Sequence, residues 1–330
     1  MKVRRANSRT PAPSSSSGKG TKAAVHGVHH GIRSVSGHGP FLCTMFPRSL
    51  LCSAWLLWCS LTAVAQALPA YALYTAQGKP LSHKGMLKRL KQADIILFGE
   101  LHDNAIGHWL QLEVTRDLIK AGPLVLGAEM IERDDQATLD RYLRGEIDQA
   151  AFDTLARLWK NHASDYKPLV DLAKENELDF VAANVPRRYA RAVNLGGFEA
   201  LDTVPAAERM WIAPLPIAFD PDLPRYRHML TMMGDHGTPN MVKAQALKDA
   251  AMAHSIAEHF RPGSRFIHFN GSFHSDYFEG INWYLQRSRP ELKRVTIATV
   301  KQAEVKRMDA EHLGRADIII VVDEDVPGTY

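Results

Sequence analysis

Residues 94–103 read Asp-Ile-Ile-Leu-Phe-Gly-Glu-Leu-His-Asp, and this stretch decides the fold. The uninterrupted apolar run at 95–98 predicts a strand buried on both faces, because a strand with one wet face would alternate apolar and polar residues. Glu100 and His102 follow directly, and residues two apart point to the same side of an extended chain. The stretch therefore predicts a central strand that ends in two chemically active side chains.

Five more apolar runs of strand length follow, at 123–128 (PLVLGA), 179–184 (DFVAAN), 265–270 (RFIHFN), 294–300 (RVTIATV) and 316–322 (ADIIIVV). Helical patterns lie between them, at about 105–121, 134–144, 168–177 and 186–195. Alternation of strands and helices predicts an α/β fold with a mainly parallel central sheet and flanking helices. Neither G-x-G-x-x-G nor a P-loop follows the first strand, so nucleotide binding has no support.

A long stretch between the third and fourth predicted strands, at about 196–260, contains six prolines and no run of strand character. It ends in an amphipathic pattern from Met241 to Phe260. We predict a helical insertion that packs over one edge of the sheet and walls a ligand cleft. Residues 66–330 then form a single α/β domain that includes this insertion.

The residues before this domain differ in composition. Eight of the 40 basic residues and no acidic residue lie in 1–65, which leaves 32 basic against 36 acidic residues in the domain. A domain with net negative charge does not predict nucleic-acid binding. All three cysteines, Cys43, Cys52 and Cys59, also precede the domain, so it holds no disulfide, thiolate metal site or cysteine nucleophile.

Residues 45–65 predict a signal peptide: Arg48 is followed by an apolar run and by Ala63-Val64-Ala65, which fits a cleavage site. An uncleaved membrane anchor is the alternative. Residues 1–44 are predicted to be disordered or to lie upstream of a true start at Met45. Trp58 stands where a lipobox needs a small residue before Cys59, so we predict no lipid anchor. The protein is expected to be periplasmic or secreted.

Polar residues follow four of the predicted strands, where ligands bind in open α/β sheets. We name Glu100, His102, Glu129 and His274 the strand-end cluster; Asn184 and Arg187 follow the third strand. Two histidines and two carboxylates at one sheet edge predict either a divalent-metal site or acid–base chemistry. Each residue alone could equally be a capping or hydrogen-bonded loop residue.

These motifs resemble the ChaN family of haem-binding, iron-regulated proteins, within the superfamily of TIKI/TraB proteins and erythromycin esterases. The resemblance covers about residues 85–300 and keeps the family's order: Gly99-Glu100-Leu101-His102-Asp103, Gly127-Ala128-Glu129-Met130, Asp165-Tyr166-Lys167-Pro168, Ala183-Asn184-Val185-Pro186-Arg187 and Gly271-Ser272-Phe273-His274. The chain departs from the family at 271–274, where Gly-Asn-Gly-His is usual, and in lacking a lipobox.

The resemblance implies a haem-binding protein in haem or iron uptake, with ferric haem at the interface of a homodimer and an outer-membrane haem receptor as a possible partner. It implies a tyrosine ligand to iron, for which Tyr166 matches best. His162, four positions before Tyr166, is the other candidate ligand. Met232 and His236 of the insertion are candidates for the porphyrin face, and Arg187 for a haem propionate.

Two other functions stay open. Relatives in the superfamily include metal-dependent peptidases and macrolide esterases, so the chain could be a hydrolase with Glu100, His102, Glu129 and His274 as catalytic residues and metal ligands. In that interpretation Glu100 or His102 activates water, and His274 binds the metal or polarises a carbonyl. The third interpretation is an exported domain that only binds a partner.

Overall fold

A computed structural model describes residues 68–330. The predictions for 1–44 and for a signal peptide at 45–65 lie outside the described residues. None of the helices within 68–330 is both long and apolar enough to span a bilayer.

A seven-stranded sheet forms the centre of the domain. Its strands are β1 (Tyr71–Thr75), β2 (Ile95–Glu100), β3 (Leu124–Glu132), β4 (Phe180–Asn184), β5 (Arg265–Gly271), β6 (Arg294–Gln302) and β7 (Ile318–Asp323), in the spatial order β1-β7-β6-β2-β5-β3-β4. All six predicted strands are present, as β2 to β7, and they are parallel. The predicted α/β fold with a mainly parallel sheet is confirmed.

The edge strand β1 was not predicted. It is five residues long, partly exposed and antiparallel to β7, with Tyr71 opposite Val322. Its apolar run, 71–74, is only four residues long, and its partner lies at the far end of the described chain. No local pattern reports such a long-range pairing.

Nine α-helices flank the sheet in the described part of the chain: α1 (His83–Leu90), α2 (Ala105–Ile119), α3 (Gln136–Leu143), α4 (Gln149–Leu155), α5 (Lys167–Glu175), α6 (Arg187–Gly196), α7 (Pro224–Met233), α8 (Pro239–His259) and α9 (Ile281–Ser288). The four predicted helices correspond to α2, α3, α5 and α6. Helices α1 to α5 cover one face of the sheet with apolar side chains that include Met86, Leu110, Leu118, Leu139, Phe152 and Leu169.

The insertion contains α7 and α8, and strands are absent from its described residues, as predicted. Thr238 caps α8, and Pro239 occupies its first turn, where a missing N–H costs nothing. Met252 and Ile256 of α8 pack in one cluster with Leu97 of the central strand β2. Val181 and Ala183 of the edge strand β4 belong to the same cluster, so α8 lies over the β4 edge, as predicted, and extends from there across the second face of the sheet toward β2.

The chain order brings distant strand ends together. After the insertion, β5 enters the sheet between β2 and β3, so Glu100 pairs with Gly271 and Ala128 with Phe269. Strand β3 runs four residues beyond the predicted end, and its register with β4 shifts between Ala128 and Glu132. Such an irregularity re-aims side chains at a sheet edge. Glu100, Glu129 and Gly271 consequently meet at the carboxyl ends of three adjacent strands.

Candidate functional site

A cavity of about 770 Å³ opens at the carboxyl ends of β2, β3, β4 and β5. Its walls come from the strand ends, the 158–161 loop, α6, α7 and α8, and include His102, Glu129, Trp159, Asn184, Arg187, Met229, Gln245, Lys248, Phe273 and His274. A cavity of about 860 Å³ lies elsewhere, lined by α3, α5 and the start of β4. It holds none of the strand-end cluster, so the chemistry favours the first cavity.

His102 is the half-buried imidazole of this cavity. Its Nδ1 atom lies 2.8 Å from Oε1 of Glu100, and its ring packs edge-on against Trp159 at 4.9 Å. No described residue forms a hydrogen bond with Nε2, and 35% of the side chain is exposed. A carboxylate that holds Nδ1–H leaves Nε2 as a lone-pair donor, the arrangement of histidines that bind metals or take up protons.

Glu100 is buried, and its carboxylate is the centre of a hydrogen-bond network. The hydroxyl of Tyr166 donates to Oε1 at 2.7 Å, and the amide of Gln111 donates to Oε2. Burial lowers the pKa of His102, but the hydrogen bond with Glu100 and the field of Glu129 outweigh it and raise that pKa above its usual value. The network thus fixes the ring and increases its basicity.

His274 lies between two buried carboxylates. Its Nδ1 is 2.5 Å from Asp249, and its Nε2 is 3.1 Å from Glu129. Burial opposes the positive charge, yet the two carboxylates raise the pKa of His274 to about 10. His274 also lowers the pKa of Glu129 against the effect of burial. His274 is therefore a cation paired with the Glu129 anion at neutral pH, while burial raises the pKa of Asp249.

The metal site predicted at the strand-end cluster stays a prediction. Both nitrogens of His274 are within hydrogen-bond distance of carboxylates. No three of the histidine, aspartate and glutamate side chains within 68–330 are arranged to hold a metal ion. His102 is the member of the strand-end cluster that keeps a free nitrogen toward the cavity.

The remaining walls combine apolar and cationic groups. Trp159, Met229 and Phe273 supply apolar surface, while Arg187 and Lys248 supply positive charge. Asn184 lines the same cavity, and its buried Oδ1 has no hydrogen-bond partner among the described residues. A buried amide oxygen without a partner costs free energy, so this edge is built to meet a ligand or a solvent molecule.

Tyr166 is not on the cavity surface. Its side chain is only 3% exposed, and its ring packs edge-on against His108 and Trp159. Burial, followed by the charge of Glu100, raises the pKa of the Tyr166 phenol well above its usual range. In this arrangement Tyr166 orients Glu100, and as an iron ligand it stays a prediction.

His162, Met232 and His236 lie outside the cavity. His162 is buried against Phe152 at 5.9 Å, on a π-helical turn that does not give it the same neighbours as Tyr166. Met232 is exposed near the end of α7, and His236 is exposed on the turn after it. Met229, one turn earlier on α7, is the methionine that reaches the cavity.

Arg187 does reach the rim of the cavity. Its Nε donates to Oε1 of Glu132 at 2.7 Å, while much of the side chain stays exposed. Glu132 also accepts a hydrogen bond from Arg157. Arg187 is thus held at one end by Glu132 and is accessible to an anionic group from solvent.

Several site residues were not identified from the sequence. Gln245 and Asp249 lie one turn apart on α8 and are both buried, and Asp249 accepts a hydrogen bond from Tyr226 at 2.8 Å. Two polar residues at i and i+4 on the buried side of a helix were the available signal. Trp159 and Lys248 carry no comparable pattern.

Known proteins resemble this chain in sequence and in structure. The family model described as haem-binding uptake, Tiki superfamily, ChaN matches residues 86–285. No curated protein sequence matches significantly. ChaN of Campylobacter jejuni, whose structure shows cofacial haem binding, superposes with a TM-score of 0.58 at 19% identity and covers 76% of this chain and 96% of its own. That likeness shows a common fold.

Two weaker structural likenesses were also found. A protein from Bacillus cereus has a TM-score of 0.46 at 12% identity, over 78% of this chain and 95% of its own. An erythromycin esterase in its open conformation has a TM-score of 0.42 at 12% identity, over 77% of this chain and 83% of its own.

Proposed function

Since the chain belongs to the ChaN family of haem-binding uptake proteins in the Tiki superfamily, we propose that it captures ferric haem in the cavity at the carboxyl ends of β2 to β5. One observation supports haem binding in this cavity. His102 lines it, Nε2 has no hydrogen-bond partner among the described residues, and Glu100 lies 2.8 Å from Nδ1. Histidine held in this way is a common axial ligand of haem iron.

The residues of the cavity fit a haem. Haem needs a ligand to its iron, apolar surface for its macrocycle and partners for its propionates. His102 supplies the first, and Trp159, Met229 and Phe273 supply the second. Arg187 and Lys248 can pair with carboxylates, and the planar guanidinium of Arg187 suits a bidentate pair. When bound, the haem itself would supply only its iron and its carboxylates to the complex.

Tyr166 has a supporting role in this proposal. A Tyr166 ligand would have to leave Glu100 and expose a phenol that is now almost fully buried. A phenolate beside the Glu100 carboxylate would also place two negative charges together in a buried site. Iron binding by His102 therefore needs less rearrangement than iron binding by Tyr166. The tyrosine ligand remains the alternative, and a Tyr166→Phe variant distinguishes the two.

Export and assembly complete the proposal. The sequence at 45–65 supports passage into the periplasm or outside the cell, where haem is met before uptake. A homodimer would cover the second face of the haem, and the cofacial haem binding named for the Campylobacter jejuni relative supports this arrangement. Delivery to an outer-membrane haem receptor would follow release.

Titration of hemin into the purified protein, followed at the Soret band, tests the proposal. We expect a saturable shift with a fixed stoichiometry, at least ten times weaker in His102→Ala. His83→Ala removes a partly exposed histidine of α1 and serves as the matched control, with affinity equal to that of the unmodified protein. Unsaturable binding would contradict haem capture, and equal affinity in all three proteins would exclude His102 as the iron ligand.

Hydrolysis is a second candidate, favoured by the same His102–Glu100 pair. An imidazole oriented by a carboxylate can act as general base toward water in the cavity. A screen of ester and peptide substrates tests it: turnover that disappears in His102→Ala and survives in Tyr166→Phe would support a hydrolase. Absence of turnover in the unmodified protein would leave haem capture as the function of the site.

A further inference from the structure

A smaller cavity, of about 490 Å³, lies beside the proposed haem cavity and has a different chemical character. We name it the arginine pocket; it is lined by Pro224, Arg225, His228, Tyr277, Glu311, His312 and Arg315. Phe273 separates the two, since it lines the first cavity while its ring packs on Arg225, with the guanidinium 4.0 Å from the ring centre. None of these lining residues belongs to the strand-end cluster.

Arg225 is the unusual residue of this pocket. It is only 8% exposed, and its Nε is buried without a hydrogen-bond partner among the described residues. Its nearest anion is Asp276, 3.4 Å from a terminal nitrogen, and Asp276 also accepts a shorter hydrogen bond of 2.9 Å from Arg315. One carboxylate thus faces two guanidinium groups and satisfies few of their donors.

The neighbouring groups add both donors and acceptors, and the buried Oδ1 of Asp276 also lacks a partner among the described residues. The buried Nε2 of His312 also lacks a hydrogen-bond partner within 68–330, and the exposed His228 stacks on Phe273. Burial lowers the pKa of Arg225, so its surroundings oppose the charge that it carries. The carboxylate of Glu311 is well exposed and lies 3.7 Å from His312, too far for a hydrogen bond. The pocket therefore holds buried guanidinium and imidazole donors without partners among the described residues, although carboxylates lie nearby.

The backbone around the pocket is held in a demanding conformation. Tyr277 and Phe278 both have positive φ, 57° and 63°, although neither is glycine. The N–H of Tyr277 donates to the carbonyl of Arg315, and this contact ties the strained turn to the second arginine. Strain of this kind persists where surrounding contacts over-determine the backbone, as at ligand sites.

We propose that the arginine pocket binds a small oxyanion, a carboxylate or a phosphate group. The guanidinium of Arg225 forms the base of the site, where its planar array of donors matches two oxygens of either group. His312 donates from the wall, and His228 contributes at the mouth. This site is separate from the proposed haem cavity and is tested without haem.

Calorimetric titration of the full-length protein with inorganic phosphate, and separately with acetate, tests the proposal at constant ionic strength set with sodium chloride. We expect saturable binding of at least one anion, and the preferred one identifies the class of ligand. Arg225→Gln should weaken that binding at least tenfold. Arg227→Gln alters an exposed arginine two positions along the same helix and should leave it unchanged.

Two results would overturn the proposal. One is the absence of saturable binding for both anions; the other is equal binding by a folded Arg225→Gln protein and the unmodified protein. If circular dichroism shows that Arg225→Gln does not fold, His228→Gln decides, because His228 is exposed and its loss does not disturb the core. Weaker binding in His228→Gln supports the site, and unchanged binding rejects it.

Discussion

His102 and Glu100 lie two residues apart at the end of β2, with 2.8 Å between Nδ1 of the imidazole and Oε1 of the carboxylate. His102 lies on the turn after β2, where this hydrogen bond holds its ring beside Glu100, and burial of Glu100 leaves only His102 of the pair in contact with the cavity. Nδ1 of the ring is thereby hydrogen-bonded to Glu100, and Nε2 is available to a ligand. Binding in the cavity is therefore expected to depend on this pair and on the groups that support it.

Glu100→Gln should weaken hemin binding by about 10- to 100-fold, because the amide cannot increase the basicity of His102 as the carboxylate does. The change keeps the size of the side chain, so near-native far-UV circular dichroism is expected. Titration at the Soret band measures the affinity. Glu113→Gln on the outer side of α2 is the control, and an equal affinity for both variants would contradict the role of Glu100.

Gly271→Ala should weaken hemin binding by displacing His102. A methyl group at Gly271 would lie 2.8 Å from Nε2 of His102, closer than such contacts allow, so the ring must move. Gly196→Ala on α6 meets only ordinary contact at 3.7 Å and serves as the control. Hemin titration of both variants measures the effect, and native affinity in Gly271→Ala would show that the position of the ring is unimportant.

Tyr166→Phe should keep the hemin affinity within a few fold and lower the free energy of unfolding by about 1–3 kcal/mol, because a buried carboxylate oxygen loses its donor. Titration at the Soret band measures the hemin affinity, and urea denaturation measures the free energy of unfolding. Loss of the Soret shift in a folded Tyr166→Phe protein would identify Tyr166, and not His102, as the iron ligand.

His274→Gln should be strongly destabilising. Glu129 and Asp249 are both buried around His274, and removal of the cation leaves the Glu129 carboxylate without its ion-pair partner. A loss of about 3–5 kcal/mol in the free energy of unfolding is expected for breaking a buried ion pair from one side. His254→Gln on α8, where the histidine is half-buried, should change it by less than about 1 kcal/mol. Urea denaturation compares them.

His268 should make the protein sensitive to acid. Burial lowers the pKa of His268 to about 4, so the folded state holds the imidazole neutral while the unfolded chain protonates it near 6.5. Its contribution is therefore fully present above pH 6.5 and is lost as the pH falls toward 4, by about 3 kcal/mol in total. Urea denaturation of the unmodified protein and His268→Gln at pH 7 and pH 4.5 checks this. Between pH 7 and pH 4.5, the free energy of unfolding should fall less for His268→Gln than for the unmodified protein. Equal losses in the two proteins would exclude His268 as a source of the acid sensitivity.

Local sequence features predicted a large part of this molecule. The apolar runs of β2 to β7 are continuous because helices cover both faces of the sheet. The sequence of each segment therefore indicates by itself that the segment is buried. The helix patterns at α2, α3, α5 and α6 report one apolar side in the same way. The grouping of Glu100, Glu129 and His274 followed from the rule that parallel strands share a carboxyl edge.

These local patterns did not predict contacts between segments that are distant along the chain. The N–H of Gly271 donates to Glu129 at 2.8 Å across 142 positions, and Tyr166 donates to Glu100 across 66 positions. Whether a tyrosine faces a cavity or a buried carboxylate depends on the rotation of one turn, which a motif does not encode. The same holds for Met229, which reaches the cavity while Met232 on the same helix does not.

The sequence by itself determined the α/β fold, the strand ends that carry the chemistry and the family to which the chain belongs, because each depends on short-range periodicity or on residue order. Only the tertiary structure decided that His274 is an imidazolium between Asp249 and Glu129, and that His102 keeps one free nitrogen. Charge state and availability depend on which groups surround a side chain in space. Those neighbours come from helices and strands that are far apart along the chain.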